Sequence, residues 1–271
     1  MEYRTTFQYI TTNIYLVAQK QLQCVYNCIV PRLFFVYTYT VGIIIMPLLC
    51  ILSKPFTNKY DLKFCSKFCC YTILGINHNI TTNADIIKEG FIISNHRCAV
   101  DLLLSMYMYN ASIVARGLAY LASTCYSILI YFEDRGIYLH RNKDTRDVIY
   151  NKIKNHMKND NSSSKLIVFW PEGTRLTYTK LNSVDDVKKN LKYGLLKEIY
   201  IDKTYPVQLD ISSNKELAFN EKKIKAQYGV TINTIISSPI YPADYNTFEL
   251  FIDEICKEWL TCWRFTHEKV Q

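Results

Sequence analysis

Twenty consecutive residues without a charge, Leu33 to Leu52 (LFFVYTYTVGIIIMPLLCIL), constrain this chain more than any other stretch. Water solvates such a run poorly, so it must be buried in protein or lie in lipid. Its length matches the roughly 20 residues a helix needs to cross a hydrocarbon core of about 30 Å. Arg32 and Lys54 bracket it. Its distance from the first residue, and the lack of a small-residue cleavage pattern, set it apart from a secretory signal. Gly42 and Pro47 interrupt it, which leaves two arrangements open: a bent span, and a re-entrant or tilted interfacial hairpin. Both make residues 1–75 a membrane-anchoring segment. Lys54, Lys59, Lys63 and Lys67 slightly outnumber Arg4, Lys20 and Arg32 on the other side, so the C-terminal part is expected to face the cytoplasm. Between Asp61 and Gly75 a basic, aromatic, cysteine-bearing stretch suits either an anionic bilayer surface or an amphipathic helix packed on the domain.

The formal charge of +8 favours anionic partners: phospholipid headgroups, phosphorylated substrates or nucleic acid. The chain has no helix-turn-helix, zinc-finger or RNA-binding signature, and its lysines are spread along expected helices, so nucleic acid is not expected as a partner. Ten cysteines are scattered, and no Cys/His group has zinc spacing. The cysteines read as thiols in a reducing compartment, with no metal.

After Gly75, short apolar runs alternate with charged stretches, the pattern of an α/β domain over residues 76–271. Strands are expected at Gly90–Ser94, Ile137–His140, Lys165–Phe169, Tyr205–Leu209 and Val230–Ser237. Helices are expected at Ala99–Tyr109, Thr145–Lys158, Val184–Lys197, Ser213–Gln227 and Thr247–Arg264. The uncharged run Gly117–Phe132 is short for a span and reads as a buried or membrane-facing helix. Functional residues belong at strand ends in such a fold.

Three strings stand at such ends. The first is NHRCAVD, residues 95–101, between the apolar runs FIIS and LLL. Residues five apart on one helix differ by roughly 140° around its axis. His96 must therefore sit on the turn before the helix if it is to reach Asp101. There Asp101 can accept from one ring nitrogen and leave the other as a base. The plainer alternative makes His96 a cap and Asp101 a solvated first-turn acid. The second string, GIYLHR, carries a strand from Gly136 to Arg141, whose fork suits either a phosphate or a rim salt bridge. The third, VFWPEGTR, ends a strand at Pro171; Gly173 permits a tight turn, and the turn with Thr174 and Arg175 suits an anion. Glu172 fits better as an orienter, pinning an arginine or accepting from a substrate hydroxyl.

With these three strings in order, the chain resembles the glycerolipid acyltransferases: the lysophosphatidic acid (1-acylglycerol-3-phosphate) acyltransferases and their relatives. The resemblance spans about Phe91 to Pro206. NHRCAVD matches the first block, His-x4-Asp; GIYLHR the second; WPEGTR the third; Tyr205-Pro206-Val207 resembles a weaker fourth. ISNHR and EGTRLTYTK are most similar to the eukaryotic-type branch, which includes lysocardiolipin acyltransferases. The resemblance implies a mixed central sheet flanked by helices, glycerol-3-phosphate acyltransferase-like, behind an N-terminal membrane-anchoring helical segment. It implies acyl transfer from acyl-CoA, as co-substrate and with no cofactor, to a lysophospholipid hydroxyl. His96 would be the base and Asp101 its orienting partner. Arg141, Glu172, Gly173, Thr174 and Arg175 would hold the glycerol phosphate, and Pro206 would shape the acyl-CoA side. It places the protein on the endoplasmic reticulum or another intracellular membrane. Cys98 departs from the usual Ser, which raises a nucleophilic cysteine beside His96 as a lesser option. Trp170 stands where Phe is usual. The competing classes are transfer to lysocardiolipin, a lysophosphatidylglycerol-type lipid or glycerol 3-phosphate, and a catalytically silent lipid-binding membrane protein.

Overall fold

The structure, a computed structural model, describes residues 20, 23, 27–57, 62–116, 130, 135–139, 146–159, 164–173, 181–213, 217–220 and 223–268. Seven strands form one sheet: β1 (Asn77–Thr82), β2 (Gly90–Ser94), β3 (Ser112–Arg116), β4 (Gly136–Leu139), β5 (Leu166–Phe169), β6 (Val207–Ser212) and β9 (Thr231–Ile236). Their order is β1-β9-β6-β2-β5-β3-β4. Every neighbouring pair is parallel except β6 with β9. The sheet is thus mixed, with helices on both faces, as the resemblance implies.

Strand β2 lies centrally between β6 and β5, and all five of its residues are buried. Burial on both faces explains why it reads as an unbroken apolar run rather than an alternation. Phe91 and Ile93 point to one face, where they pack with α4 (Arg146–Lys158), α6 (Gly194–Asp202) and α7 (Phe248–Glu268) through Ile153, Leu196 and Trp259. Ile92 points to the other face, against Tyr109 at the end of α3 (Val100–Tyr109). A strand shows alternate side chains to opposite layers, so one short string serves both cores.

Two of the expected helices need correction, and two strands of the sheet were not expected. Ser213–Gln227 is not a helix: it contains the two-stranded hairpin β7 (Phe219–Asn220) and β8 (Lys225–Ala226). Ala218 and Ala226 turn inward there, and the Asn220 side chain accepts from the Lys223 N–H at 3.0 Å, a local turn that competes with helical bonding. The expected helix Val184–Lys197 is two, α5 (Val184–Asn190) and α6, parted at Leu191, whose backbone is extended. Lys192 uses its N–H on Pro171 O instead. Strands β1 and β3 were absent from the expectation, and β1 is an edge strand with almost no buried side chain. Most of Gly117–Phe132 lies outside the described residues.

Among the described residues one helix, Asn27–Leu52, is long and apolar enough to cross a membrane. It continues into α1 (Met46–Thr57), after a π-helical turn over Tyr39–Ile45. That wide turn lies directly ahead of Pro47, which lacks the N–H an α-helix would use there. One face of the helix packs on the domain: Phe34, Tyr39, Met46 and Ile51 meet the cluster containing α2 (Leu62–Lys67) and α3 residues. The Cys69 thiol donates to Gly42 O at 3.2 Å. Leu33, Val36, Ile44, Leu48 and Leu52 remain exposed on the helix, as does Phe64 of α2.

Candidate active site

Strand β2 delivers the NHRCAVD turn to the C-terminal end of the parallel strands. The Asn95 side chain fixes where the turn begins. Its Oδ1 accepts from the Ser212 N–H at 2.8 Å and its Nδ2 donates to Ser212 O at 2.9 Å. A side chain thus continues the β2–β6 pairing beyond Ser94↔Asp210. His96 follows on the turn, and Asp101 occupies the first turn of α3. The imidazole Nδ1 comes 3.3 Å from Asp101 Oδ2. The alternative in which Asp101 is a solvated first-turn acid fails, because its side chain is 3% exposed.

Asp101 is surrounded by donors. The backbone N–H of Arg97 and that of Cys98 donate to Oδ2, the latter at 2.8 Å. Arg97 Nε and Nη2 donate to Oδ1 at 3.0 and 2.7 Å. Burial raises the carboxyl pKa, but the Arg97 charge, His96 and the Cys98 amide outweigh it and hold the pKa at about 2. An ionised carboxylate only accepts hydrogen bonds. Nδ1 must therefore carry the proton, and the neutral imidazole keeps its lone pair on Nε2. That is the tautomer a base needs.

Glu172 reaches the same turn from the other side. It is 1% exposed, and its Oε2 accepts from the His96 backbone N–H at 2.6 Å. The indole of Trp170, 5.1 Å away between centroids, lies against the imidazole. The first and third sequence blocks therefore meet at His96. Glu172 meets a backbone amide there, that of His96. Gly173 has φ +66°, and a Cβ there would come within 3.0 Å of Lys192 Nζ. The positive φ is what favours glycine, since the far end of a lysine side chain can shift. Arg141, Thr174 and Arg175 lie outside the described residues.

Pro206 is not near this centre. Its carbonyl accepts from the Phe91 N–H at 3.0 Å, beside Gly90, at the start of β2. It precedes β6, which runs parallel to β2, so it belongs to the opposite end of the sheet from His96. Cys98 is also misplaced for a nucleophile: it is 2% exposed and packs in the apolar cluster with Leu103 and Leu104. A cavity of about 700 Å³ lined by Ile87, Lys88, Tyr109 and Lys165 also lies away from His96, at the start of β2 and β5.

Two buried charged residues close to Asp101 were missed in the sequence. Arg97, 4% exposed, serves Asp101 and also donates through Nη1 to Ser213 O at 3.0 Å. Asp210 of β6 is buried beside the Tyr109 hydroxyl and within the field of Arg97. Burial pushes its pKa up to about 6, with the Asp101 charge adding to the rise and Tyr109 and Arg97 opposing it. Its signal was the string VQLDIS, where Gln208, Asp210 and Ser212 put polar groups on one face of an interior strand.

No protein-family model matches the sequence, and no curated protein does. The fold does match a solved structure. The 1-acyl-sn-glycerophosphate (LPA) acyltransferase PlsC from Thermotoga maritima superposes with a TM-score of 0.60 at 15% identity, covering 90% of this chain and 97% of that one. The chain is similar to that enzyme in architecture.

Proposed function

We propose that this chain is a membrane-bound acyltransferase that moves a fatty acyl group from acyl-CoA to the free hydroxyl of a lysophospholipid, most simply lysophosphatidic acid to give phosphatidic acid. The observation that carries the reading is the His96–Asp101 pair, whose Nδ1-protonated tautomer leaves Nε2 basic on a side chain 21% exposed. A fold in common with an LPA acyltransferase supports it.

In this reading Nε2 takes the hydroxyl proton as the acceptor oxygen attacks the thioester carbonyl. The new C–O bond forms and the tetrahedral centre collapses with loss of the C–S bond. The imidazolium, stabilised by Asp101, returns its proton to the departing CoA thiolate. Atoms and charge balance with no acyl-enzyme. Glu172 holds the His96 backbone during the proton transfer. Arg141, Thr174 and Arg175, with Gly173 for the turn, supply the acceptor's phosphate contacts. Residues 1–75 anchor the domain, with the exposed side of Asn27–Leu52 in an intracellular membrane such as the endoplasmic reticulum and the domain facing the cytoplasm.

The test is transfer from labelled acyl-CoA by the full chain in membranes, offered lysophosphatidate, lysocardiolipin, lysophosphatidylglycerol and glycerol 3-phosphate in parallel. Lysophosphatidate as the best acceptor is the expected result. A different preferred acceptor keeps the chemistry and replaces the substrate. No transfer to any of them, with the lipids still bound, favours a silent lipid-binding protein.

A further inference from the structure

The β7–β8 hairpin ends in an arrangement that gains nothing in water. Ile224 stands 54% exposed at its turn, with φ +50°. β-Branched residues almost never hold that backbone conformation, and glycine or asparagine is the ordinary occupant. The described residues on either side of it are paired. Phe219 pairs with Ala226 and Asn220 with Lys225. The Asn220 side chain accepts from the Lys223 N–H, and the Gln227 N–H donates to Ala218 O. Ile224 is thus held outward, between Lys223 and Lys225. Across residues 220–226 three lysines stand against one glutamate, Glu221.

The chain that follows the hairpin touches the N-terminal helix through Tyr228. Ala218 and Ala226 belong to the buried cluster that also holds residues of α2, and Phe34 and Tyr39 of the helix pack against that cluster. Tyr228, 63% exposed, meets Phe34 edge-on at 6.0 Å between centroids. A Cβ on Gly75 would strike the Tyr228 ring, so glycine at that point lets the tyrosine lie down on the chain. The Gly229 N–H then donates to Leu74 O. An exposed isoleucine between two lysines, four residues before an exposed tyrosine that meets the N-terminal helix, has the composition of an interfacial contact with an anionic bilayer.

We infer that the β7–β8 hairpin is a second membrane contact, Ile224 entering the acyl boundary while Lys223 and Lys225 meet anionic lipid headgroups. The inference rests on the membrane reading of Asn27–Leu52 and is independent of the chemistry at His96. The chain leaving β6 toward the hairpin begins at Ser213, whose carbonyl holds Arg97.

The test places a tryptophan at the tip. Full-length Ile224→Trp protein is inserted into vesicles of phosphatidylcholine with phosphatidylglycerol, with and without brominated acyl chains, and compared with the parent. Emission added by the new tryptophan should be blue-shifted and quenched by bromine, and less so when phosphatidylglycerol is omitted or when Lys223→Gln and Lys225→Gln are combined. Quenching by aqueous iodide and not by bromine would overturn the inference. Leu48→Trp in the same vesicles separates the two claims. Quenching at 48 without quenching at 224 removes the hairpin contact alone, whereas quenching at neither removes the membrane reading as well. Hydrogen exchange gives a reading without a probe: amides in 217–229 of the parent should exchange more slowly on anionic than on zwitterionic vesicles. Ile224→Asn, which suits the left-handed turn, should abolish that difference. Equal rates on both vesicles in the parent would also overturn it.

Discussion

The Glu172 carboxylate accepts from the backbone N–H of His96 at 2.6 Å, joining two residues 76 positions apart in the chain. The bond grips the main chain of His96 while Asp101 grips its ring. Held at both ends, the His96 side chain has little freedom to leave its rotamer, and in the proposed mechanism that is where such contacts act on rate.

Glu172→Ala should therefore lower kcat rather than weaken acceptor binding. A hydrogen bond to a charged group is worth about 1.5–3 kcal/mol, so the fall should be roughly 10- to 100-fold. Glu172→Gln retains an acceptor oxygen and should recover part of it. Steady-state kinetics with varied acceptor decide between the two effects; a rise in acceptor KM at constant kcat would make Glu172 a substrate ligand instead.

Arg97 is the main counter-charge of a buried carboxylate, so its loss should be felt as stability. Arg97→Met should cost on the order of 3–5 kcal/mol, read as an earlier melting temperature in detergent. The Asp101 pKa is depressed in the folded state, to about 2 from 3.8. Its stabilisation is then fully present above about pH 4 and is lost as pH falls through 2. The parent should lose stability across that acid window, and Arg97→Met should show a smaller loss because its Asp101 is no longer held down.

Asp210 carries the opposite sign. Its folded-state pKa lies near 6, above the ordinary 3.8, so ionising it opposes folding. The penalty is absent below about pH 4, grows as pH rises towards 6, and is constant above, on the order of 3 kcal/mol at most. Asp210→Asn should raise the melting temperature at pH 8 and change it little at pH 4. Melting curves at the two pH values check this, and an equal shift at both would remove the buried-charge explanation.

Pro206→Ala should leave the KM for acyl-CoA unchanged, since Pro206 adjoins Gly90 at the far end of the strands from His96. Kinetics with varied acyl-CoA test the placement; a raised KM would restore Pro206 to the cleft.

Local signals carried a large part of this architecture. Strand β2 and helix α3 were legible to within a residue because an apolar run, a polar turn and a second apolar run leave few alternatives. The five-residue spacing from His96 to Asp101 sufficed to put the histidine on the turn. The hairpin at Phe219–Ala226 was not legible, since its lysine-rich string has the composition of a solvated helix and only the Asn220 bond and the contacts of Ala218 and Ala226 reveal the turn. Strand β1 was hidden by its polar residues: it is held by its pairing with β9, through bonds no side-chain period records. Arg97 and Asp210 were missed for a related reason. A charged residue reads as exposed until its partners, here on a helix start and on a strand more than a hundred residues away, come into view.

The most direct test of the central claim replaces the imidazole and leaves its surroundings alone. Acyl transfer from labelled acyl-CoA is measured for the parent and for His96→Ala, at equal amounts of membrane-associated protein. General-base catalysis contributes about 10²- to 10⁴-fold, and the account predicts a loss of that size in kcat with membrane association and melting temperature little changed. Transfer at the parental rate by His96→Ala would contradict it.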